Sequence, residues 1–417
     1  TDAWDNKTIV LAAPKTVDSK PPVRMSSQSL DKLVKAGVRT VVLFEHWTDI
    51  ESHSKTKYTP QIRKIVKDCH ANGIKVLLYF GFLISDAAPE WNEFGPRTVV
   101  TPKRGYPIYH YTPQIDQSAW TVCLRSSWAD FVVDSVAKAM DKFDIDGVYL
   151  DGTEYPFGCT NTLHGCGAVK DDGSIAQTYP IFAVRNVMRR LYSIIKSRKP
   201  DGQIDVHNST CMTMPTLGWA TSCWNGEQLR DVAQGTDVHT SSWLESFRTE
   251  FMGHQWGVPS EFLCYGKPHT RKEAWSIALL HDIPVRPGNM DRAGNELILS
   301  SKIWKIMDGF DRKNAQWEPY WTNAAFIKAS KKNAFTSLYF HSENGLLAVI
   351  TNMSSEKIQT DIAFAKNGFL KTLDWSKAKD ALTKKRLDVK NNRLSVSLKK
   401  YGWILLTVPL AAKSLRA

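Results

Sequence analysis

The sequence predicts an α/β fold, a TIM (β/α)8 barrel, followed by a small antiparallel β domain. Apolar runs with β propensity alternate with helical segments up to about residue 310. This stretch holds eight strand–helix units, which suits a TIM barrel in number and size. After residue 317 the helical period is lost and short strands follow. A doubly wound open sheet is the alternative, but the first strand lacks the Gly-rich turn of a nucleotide site.

The predicted elements of the barrel follow one another in order. Gly37 and the pair Asn72-Gly73 end the first two helices, as C-terminal caps do. The third strand is apolar on both faces, which is typical of a buried parallel strand. Predicted strands cover residues 8–13, 38–44, 74–82, 148–150, 203–206, 221–224, 261–265 and 283–286. Predicted helices cover residues 29–36, 59–70, 128–143, 179–199, 243–256, 271–281 and 296–308.

Two further regions complete the organisation. Residues 85–124 contain five prolines and several aromatic residues, so we expect a long irregular loop that forms a wall over the pocket. Trp91, Tyr109 or Tyr111 of this loop would present an aromatic ring to a ligand in the pocket. In the C-terminal part, predicted strands cover residues 334–340, 345–351, 359–364, 393–398 and 403–408. We therefore assign residues 1–315 to a catalytic barrel and residues 316–417 to a β-sandwich domain.

The charge balance is basic, with 54 Lys and Arg against 42 Asp and Glu. This net charge of +12 suits an anionic partner such as an acidic glycan, nucleic acid or a cell surface. Because the basic residues are spread along the chain, a solvated basic surface is favoured over a nucleic-acid site. No stretch has the length and apolar character of a membrane span, and no signal peptide is visible. A secreted or periplasmic location is expected; the oligomeric state is left open.

The seven cysteines do not form the pattern of a small disulfide scaffold. Cys69 and Cys123 lie in apolar patterns and are expected in the core. Cys159 and Cys166 bracket a short loop, and either form a disulfide or, with His164, bind a metal. The disulfide is favoured because a second Cys pair is missing. No cofactor and no metal are predicted.

The segment DIDGVYLDGTE, residues 144–154, is the most informative part of the chain. Val148, Tyr149 and Leu150 form an apolar run that ends on Asp151, and Gly152 follows. A carboxylate at the carboxyl end of a buried parallel strand lies where α/β barrels place their active sites. An Asp that caps the next helix is the structural alternative.

The other strand ends carry residues of the same kinds, namely carboxylates, aromatic rings and amide or imidazole groups. Glycoside hydrolysis needs this set, because carboxyl groups attack and protonate while aromatic rings and polar groups hold the sugar. The predicted substrate-binding residues are Glu45, His46, Trp47, Asp86, Tyr149, Glu154, His207, Asn208, Trp224, Tyr265 and Arg286. The predicted partner is therefore a carbohydrate, the substrate of a glycosidase.

Two other functions stay open at this stage. No HExxH, P-loop or GxSxG motif is present, which argues against several hydrolase classes. A metal-dependent hydrolase is a minor alternative, because His46 and His207 follow different strands without an HxH pair. A carbohydrate-binding barrel that has lost catalysis is the non-enzymatic alternative, and several strand-end carboxylates argue against it.

The strand IDGVYLDG, the long Trp- and Pro-rich loop before it and the C-terminal β domain resemble the retaining α-galactosidase type of glycoside hydrolase, clan D. Endo-α-N-acetylgalactosaminidase-like enzymes look similar at this strand. The resemblance implies that Asp151 is the nucleophile, and that Glu227 or Asp231, after the sixth strand, is the acid/base. Tyr149 stands two residues before Asp151, at the position where clan D enzymes have a Lys. A chitinase-like DGxDxDxE motif fits less well, because Glu154 follows Asp151 by three residues.

Overall fold

The structure, a computed structural model, describes most of the chain. The described residues are 2–11, 24–51, 55–107, 116–152, 156–208, 213–227, 244–251, 257–264, 268–288 and 294–411. Among them, no helix combines the length and the apolar character that a membrane crossing requires. Backbone contacts divide the chain into two compact units, the first of Thr1–Gly226, His254–Glu261 and Pro287–Gly294, the second of Glu227–Gly253, Phe262–Arg286 and Asn295–Ala417.

Strands and helices alternate in the first unit, as predicted. Its strands are β1 (Thr8–Leu11), β2 (Thr40–Leu43), β3 (Lys75–Phe80), β4 (Leu83–Ser85), β5 (Gly105–Pro107), β6 (Ser118–Thr121), β7 (Gly147–Leu150), β8 (Ala168–Val169), β9 (Ile175–Ala176), β10 (Gln203–His207), β11 (Ser222–Asn225) and β12 (Ser260–Phe262). Its helices are α1 (Ala3–Asn6), α2 (Ser27–Ala36), α3 (Thr59–His70), α4 (Trp91–Thr98), α5 (Trp128–Phe143), α6 (Ile181–Arg198) and α7 (Met214–Leu217).

The main sheet has seven strands in the order β1-β2-β3-β7-β10-β11-β12. The strand pairs from β1-β2 to β10-β11 are all parallel, and nearly every residue of these strands is buried. Gly147 begins β7 with φ +146°, and a Cβ there would lie 1.9 Å from the Gln203 carbonyl oxygen. Only glycine therefore allows β7 and β10 to approach so closely at this end of the sheet. The predicted parallel α/β sheet is confirmed.

The helices begin and end where the sequence indicates. The Ser26 side chain accepts a hydrogen bond from the Ser29 amide at the start of α2, and Gly37 ends the helix in the left-handed conformation. Asp144 ends α5 in the same conformation, with φ 59°. Both helices thus stop directly before a strand of the main sheet, and the Asp144 turn leads the chain into β7.

The prediction of an irregular loop over residues 85–124 is wrong in part. The segment contains α4, and β4, β6 and β5 form a three-stranded antiparallel sheet. The Trp91 ring packs against Trp120, with ring centroids 6.2 Å apart. The composition of the segment did not indicate these elements, because Pro96 lies inside α4 and the strands are short. Tyr109 and Tyr111 lie outside the described residues.

The expected disulfide between Cys159 and Cys166 is not formed. Cys159 and Cys166 are both buried thiols, and so are Cys69 and Cys123. Cys159 is bridged to Thr178 by two backbone hydrogen bonds, each 3.0 Å long, which fix its position before the β8–β9 hairpin. The Sγ atom of Cys166 lies against Cys123, a residue expected only as part of the core.

The second unit contains helices and a C-terminal antiparallel region. Its helices are α8 (Leu244–Glu250), α9 (Pro268–Leu280) and α10 (Gly294–Phe310). The eighth predicted strand is reduced to one parallel bridge between Phe262 and Val285. The strands of the second unit are β13 (Gln316–Glu318), β14 (Ile327–Ala329), β15 (Ala334–His341), β16 (Gly345–Asn352), β17 (Ile358–Phe364), β18 (Lys379–Asp380), β19 (Val389–Lys390), β20 (Arg393–Leu398) and β21 (Trp403–Val408).

The C-terminal strands form two antiparallel sheets, β13-β15-β16-β21-β18 and β14-β17-β20-β19. All five strands predicted in this region are present. One cluster of buried apolar side chains draws on both sheets, among them Leu338, Leu346, Ile350, Ile362, Leu394 and Val396. The last long helix, α10, ends at Phe310, and the antiparallel β region begins with β13 at Gln316.

Candidate active site

Asp151 directly follows the last residue of β7, at the carboxyl end of the main sheet. Its amide donates a 2.9 Å hydrogen bond to the Phe80 carbonyl of β3, which continues the strand pairing by one residue. Gly152 then turns the chain with φ +73°, and a Cβ there would lie 1.9 Å from the Phe82 ring. A glycine is thus required after Asp151, and the Asp-Gly pair read from the sequence has a steric reason.

The strand register brings four aromatic or imidazole side chains to the face of the sheet that carries Asp151. Tyr149 lies two residues before Asp151 and therefore shares its face. Tyr79 of β3 is opposite Tyr149, and His207 of β10 is opposite Trp224 of β11. Because Val206 is opposite Leu150, His207 is level with Asp151.

Asp151 and its neighbours form a hydrogen-bonded group. The Tyr79 hydroxyl donates to Asp151 Oδ2 over 2.9 Å. The Nδ1 atom of His207 lies 3.5 Å from Asp151 Oδ1 and 2.7 Å from the Tyr149 hydroxyl. The Asp151 side chain keeps 26% of its surface exposed, whereas His207 keeps 8%. One carboxylate is thus oriented by neighbouring polar groups and still accessible to a ligand.

The phenol of Tyr79 is held in its neutral form. Complete burial raises the pKa of Tyr79 well above its usual value, and the nearby carboxylates of Asp151, Glu45 and Glu51 raise it further. A neutral phenol keeps its proton and remains a donor to Asp151 throughout the physiological range. Tyr79 therefore donates a hydrogen bond to Asp151 and fixes its orientation.

The rings of Tyr149 and Trp224 lie next to His207, and buried polar groups support them. The Tyr149 and Trp224 rings pack 4.2 Å apart, and Trp224 Nε1 donates to Glu261 Oε2 over 2.9 Å. Asp205, opposite Tyr149, accepts a 3.0 Å hydrogen bond from the Ser222 hydroxyl. Tyr149 and Trp224 are both buried, so they position His207 and Glu261 from within the site.

Asn208 follows β10 and offers a second polar group at this edge. Its backbone amide donates a 2.8 Å hydrogen bond to the Trp224 carbonyl oxygen, which fixes the position of the residue. The side-chain amide is fully buried, and neither its nitrogen nor its oxygen has a partner within the described residues. A buried amide in this state has unsatisfied hydrogen-bonding capacity, which water or a ligand hydroxyl satisfies.

Two predicted residues lie in the short helical turn after β2. Glu45 is half-buried at the start of the short helical turn Glu45–Trp47, and its charge acts on Tyr79. Trp47 is a core residue, because its ring packs between Phe80 and Phe143 and its Nε1 donates to the Tyr79 carbonyl. Its predicted role in substrate binding stays a prediction.

The remaining predicted residues fall into three groups. Asp86 accepts hydrogen bonds from the Ser118 amide and Trp120 Nε1, so it ties the start of β6 to the end of β4. Glu227 follows the end of β11 by two residues and is half-buried, and Arg286 is buried in the second unit. Glu154, Asp231, Tyr265 and the side chain of His46 lie outside the described residues.

The sequence did not single out Tyr79, Asp205 or Glu261. Tyr79 stands inside an apolar strand, where an aromatic residue is ordinary, and only the β3–β7 register reveals its contact with Asp151. Asp205 does leave a signal, because it is the one charged residue of the strand QIDVH and alternates with His207. Glu261 likewise breaks an apolar run, EFLCY, at the start of its strand.

Comparisons with known proteins give a fold but no family. No family model matches the chain, and no curated protein matches it. A noncanonic maltogenic α-amylase from Thermotoga neapolitana has a TM-score of 0.62 at 13% identity, with 98% of this chain and 99% of that chain covered. An acarbose-bound α-amylase from Geobacillus thermoleovorans gives 0.60 at 11%, with 98% and 99% covered.

A β-L-arabinopyranosidase of glycoside hydrolase family 27 from Geobacillus stearothermophilus gives a TM-score of 0.59 at 11% identity, with 98% of each chain covered. The similarity to all three proteins extends over nearly the whole length of this chain. At such low identity the comparison concerns the fold alone. The chain has the fold of these TIM-barrel enzymes, as the strand order of the main sheet also indicates.

Proposed function

We propose that the protein is a retaining glycoside hydrolase that acts on an oligosaccharide, a polysaccharide or a glycan. The observation that carries the proposal is the exposure and orientation of the Asp151 carboxylate. It is a partly exposed carboxylate at the carboxyl end of β7, and the Tyr79 hydroxyl orients it. The α-amylase and arabinopyranosidase folds that this chain shares are those of enzymes acting on sugars. In α/β barrels this end of the sheet is the catalytic one.

In the proposed mechanism Asp151 is the nucleophile and Glu227 the acid/base. An Asp151 oxygen attacks the anomeric carbon while the bond to the leaving oxygen breaks and Glu227 gives that oxygen its proton. Water then attacks the covalent glycosyl-enzyme, Glu227 accepts the proton, and the Asp151 carboxylate is released. Retaining enzymes need the two carboxyl groups roughly 5–5.5 Å apart. Glu227 follows a strand parallel to β7, which suits this role.

Polar groups around Asp151 supply the proposed sugar contacts. The side-chain amide of Asn208, which has no partner among the described residues, would bind a sugar hydroxyl, and Glu45 beside Tyr79 would bind another. His207, held by the Tyr149 hydroxyl, would donate or accept according to its tautomer. Such contacts orient the ring so that its anomeric carbon faces Asp151.

A panel of activated aryl glycosides tests the activity. We expect turnover of at least one member, and proton NMR of the first product formed is expected to show retained anomeric configuration. Asp151→Asn should lose turnover on that substrate and still fold. A protein that binds sugars but turns over no member of the panel or of a glycan array would instead be an inactive carbohydrate-binding barrel. Loss of turnover on chelation, with Asp151→Asn active, would favour a metal-dependent hydrolase.

Glu227→Gln tests the acid/base. Loss of the acid should slow substrates with poor leaving groups on the order of 10²–10⁴-fold, the usual contribution of general acid catalysis. Substrates with good leaving groups should be much less affected, and azide should restore part of the rate by acting as the second-step nucleophile. Glu343→Gln, at an exposed turn of the same unit, is the matched control. Equal losses for both leaving-group classes would exclude this role.

We further propose an acidic glycan as substrate and a secreted or periplasmic location. The net charge of +12 favours an anionic ligand. Polymeric sugars are met outside the cytoplasm, where the two C-terminal sheets, packed as a sandwich, would serve as an accessory domain of residues 316–417. kcat/KM for an acidic glycan should fall with salt, and that for a neutral one should not. Fractionation of the producing cells tests the location.

A further inference from the structure

A compact group of sulfur and nitrogen atoms lies in the first unit, apart from Asp151. Cys123, Cys159, His164 and Cys166 place their potential ligand atoms within 4.8 Å of one another. The three cysteines are buried and free, and His164 is half-buried. Among the described residues, this is the cluster in which three or more His, Cys, Asp or Glu side chains converge in this way.

The distances fit four ligands around one ion. A tetrahedral zinc with Zn–S of about 2.3 Å and Zn–N of about 2.0–2.1 Å separates its ligand atoms by roughly 3.8 Å for two sulfurs and 3.6 Å for sulfur and nitrogen. The Sγ atoms of Cys123 and Cys166 are 3.7 Å apart, and Cys159 Sγ lies 3.3 Å from His164 Nε2. A disulfide would need about 2.05 Å between sulfurs.

The groups behind the ligands are oriented as in a metal site. His164 Nδ1 lies 2.9 Å from the Arg97 carbonyl oxygen, which can only accept, so Nδ1 carries the proton and Nε2 faces Cys159. Such an outer hydrogen bond fixes the tautomer of a ligating histidine. The amides of Thr101 and Asn161 donate to Cys159 Sγ over 3.5 and 3.4 Å. Amide donors of this kind stabilise a thiolate.

A guanidinium lies close to the group and would balance the charge of a filled site. Zn²⁺ would displace three thiol protons and leave one net negative charge. The Arg125 guanidinium, beside Gly165, lies near enough to offset that charge.

We propose that Cys123, Cys159, His164 and Cys166 bind one structural Zn²⁺ ion. Three thiolates and an imidazole in a tetrahedral arrangement select zinc among the common metals. All four positions are filled by protein, so no position is open for catalysis. The ion would join the segment after Asp151, which holds Cys159, His164 and Cys166, to Cys123, which lies just after β6. This inference does not rest on the proposed function.

The metal content of the full-length protein is the first test. The protein is produced in zinc-supplemented medium, purified without a metal-affinity step, dialysed and measured by elemental analysis and native mass spectrometry. We expect about one zinc per chain and the loss of about three protons for each zinc bound. Replacement by Co²⁺ should give the absorption bands of tetrahedral thiolate coordination. A folded protein without zinc, or a chain mass two hydrogens lower that reduction restores, would overturn the proposal.

Ligand variants then test the assignment. Cys123→Ala and His164→Ala should lower the zinc content from about one to below roughly 0.2 per chain. Cys69→Ala is the matched control, because Cys69 is equally buried but lies in α3 and should leave the zinc content unchanged. His164 is only half-buried, so its variant should fold even if Cys123→Ala does not. Full zinc content in His164→Ala, with a normal melt, would show that the metal is held elsewhere.

Discussion

The two ends of β7 carry two aspartates with the same kind of neighbour and different surroundings. Asp146 immediately precedes the strand and Asp151 immediately follows it. Asp146 Oδ2 lies 2.7 Å from His70 Nε2, and Asp151 Oδ1 lies 3.5 Å from His207 Nδ1. Both carboxylates therefore face an imidazole, and a sequence motif alone does not distinguish them.

Their remaining contacts separate them. Asp146 also accepts from the Val76 amide over 2.7 Å and pairs with Lys199 at 3.1 Å, and its side chain is 12% exposed. Asp151 accepts from the neutral Tyr79 phenol, and 26% of its side chain is exposed. A carboxylate fixed by a lysine, an imidazole and a backbone amide joins secondary structure elements, whereas one that faces a phenol and an imidazole keeps part of its surface available to a ligand. The difference agrees with the division of α/β barrels into a stability face and a catalytic face.

Replacement of the two aspartates by asparagine, one at a time, should have the largest effect, which is on kcat. Asp151→Asn should lower kcat on the order of 10³-fold or more, equivalent to about 4 kcal/mol of transition-state stabilisation. Asp146→Asn should leave kcat within a few-fold of the wild type when assayed below its melting temperature. Steady-state kinetics on the best aryl glycoside checks both. Similar losses in the two variants would remove the distinction between the ends.

Stability should respond in the opposite sense. Asp146→Asn leaves Lys199 with less compensation and weakens the bond to His70, so we expect a loss of about 2–3 kcal/mol in the free energy of unfolding. Asp151→Asn should change it by less than about 1 kcal/mol, because the carboxylate is partly exposed and the amide has nearly the same size. Urea unfolding followed by circular dichroism measures both. An Asp146→Asn midpoint equal to that of the wild type would contradict the structural role.

Removal of the phenol donor sharpens the account of the catalytic end. Tyr79→Phe keeps the ring and its packing against Phe44 but loses the hydrogen bond to Asp151. A hydrogen bond to a charged group contributes about 1.5–3 kcal/mol, so kcat/KM should fall roughly 10- to 100-fold. Tyr58→Phe, at a buried tyrosine before α3, is the control. Unchanged kinetics in Tyr79→Phe would mean that the phenol does not act on the reaction.

The smallest expected effect lies at alkaline pH. Burial lowers the pKa of Lys199, but its hydrogen bonds to Asp144 and Asp146 outweigh this and raise the pKa above its usual value. The folded state therefore holds this proton more tightly, and the stabilisation is complete below about pH 10.5 and lost as the pH rises through the folded pKa. In Lys199→Met this part of the alkaline loss should disappear from thermal melts. An identical pH dependence in both proteins would argue against it.

The sequence predicts the positions that depend on local chain order. Asp151 could be found because an apolar run ends on it and Gly152 follows, and both features lie within a few residues. Tyr79 could not, because its contact with Asp151 arises from the pairing of strands about 70 residues apart. The place of Trp47 after a strand predicts a residue of the pocket, whereas the turn Glu45–Trp47 directs the ring into the core.

The cysteines show the same limit. Cys159, His164 and Cys166 lie close in the chain and could be recognised as a possible set of three ligands. Cys123, the fourth, precedes them by 36 residues and sits in an apolar stretch, where a buried cysteine is ordinary. Only the fold brings its sulfur to Cys166, so the sequence favoured a disulfide where the structure supplies four ligands.

Identification of the nucleophile tests the central claim most directly. Once an accepted sugar is known, a fluorinated activated glycoside of that sugar should trap the covalent intermediate, since it slows the second step more than the first. We expect one label per chain, located by peptide mass spectrometry on Asp151 and absent from Asp151→Asn. A label on Glu227, on Glu261 or on the Asp146 end of the strand would contradict the account.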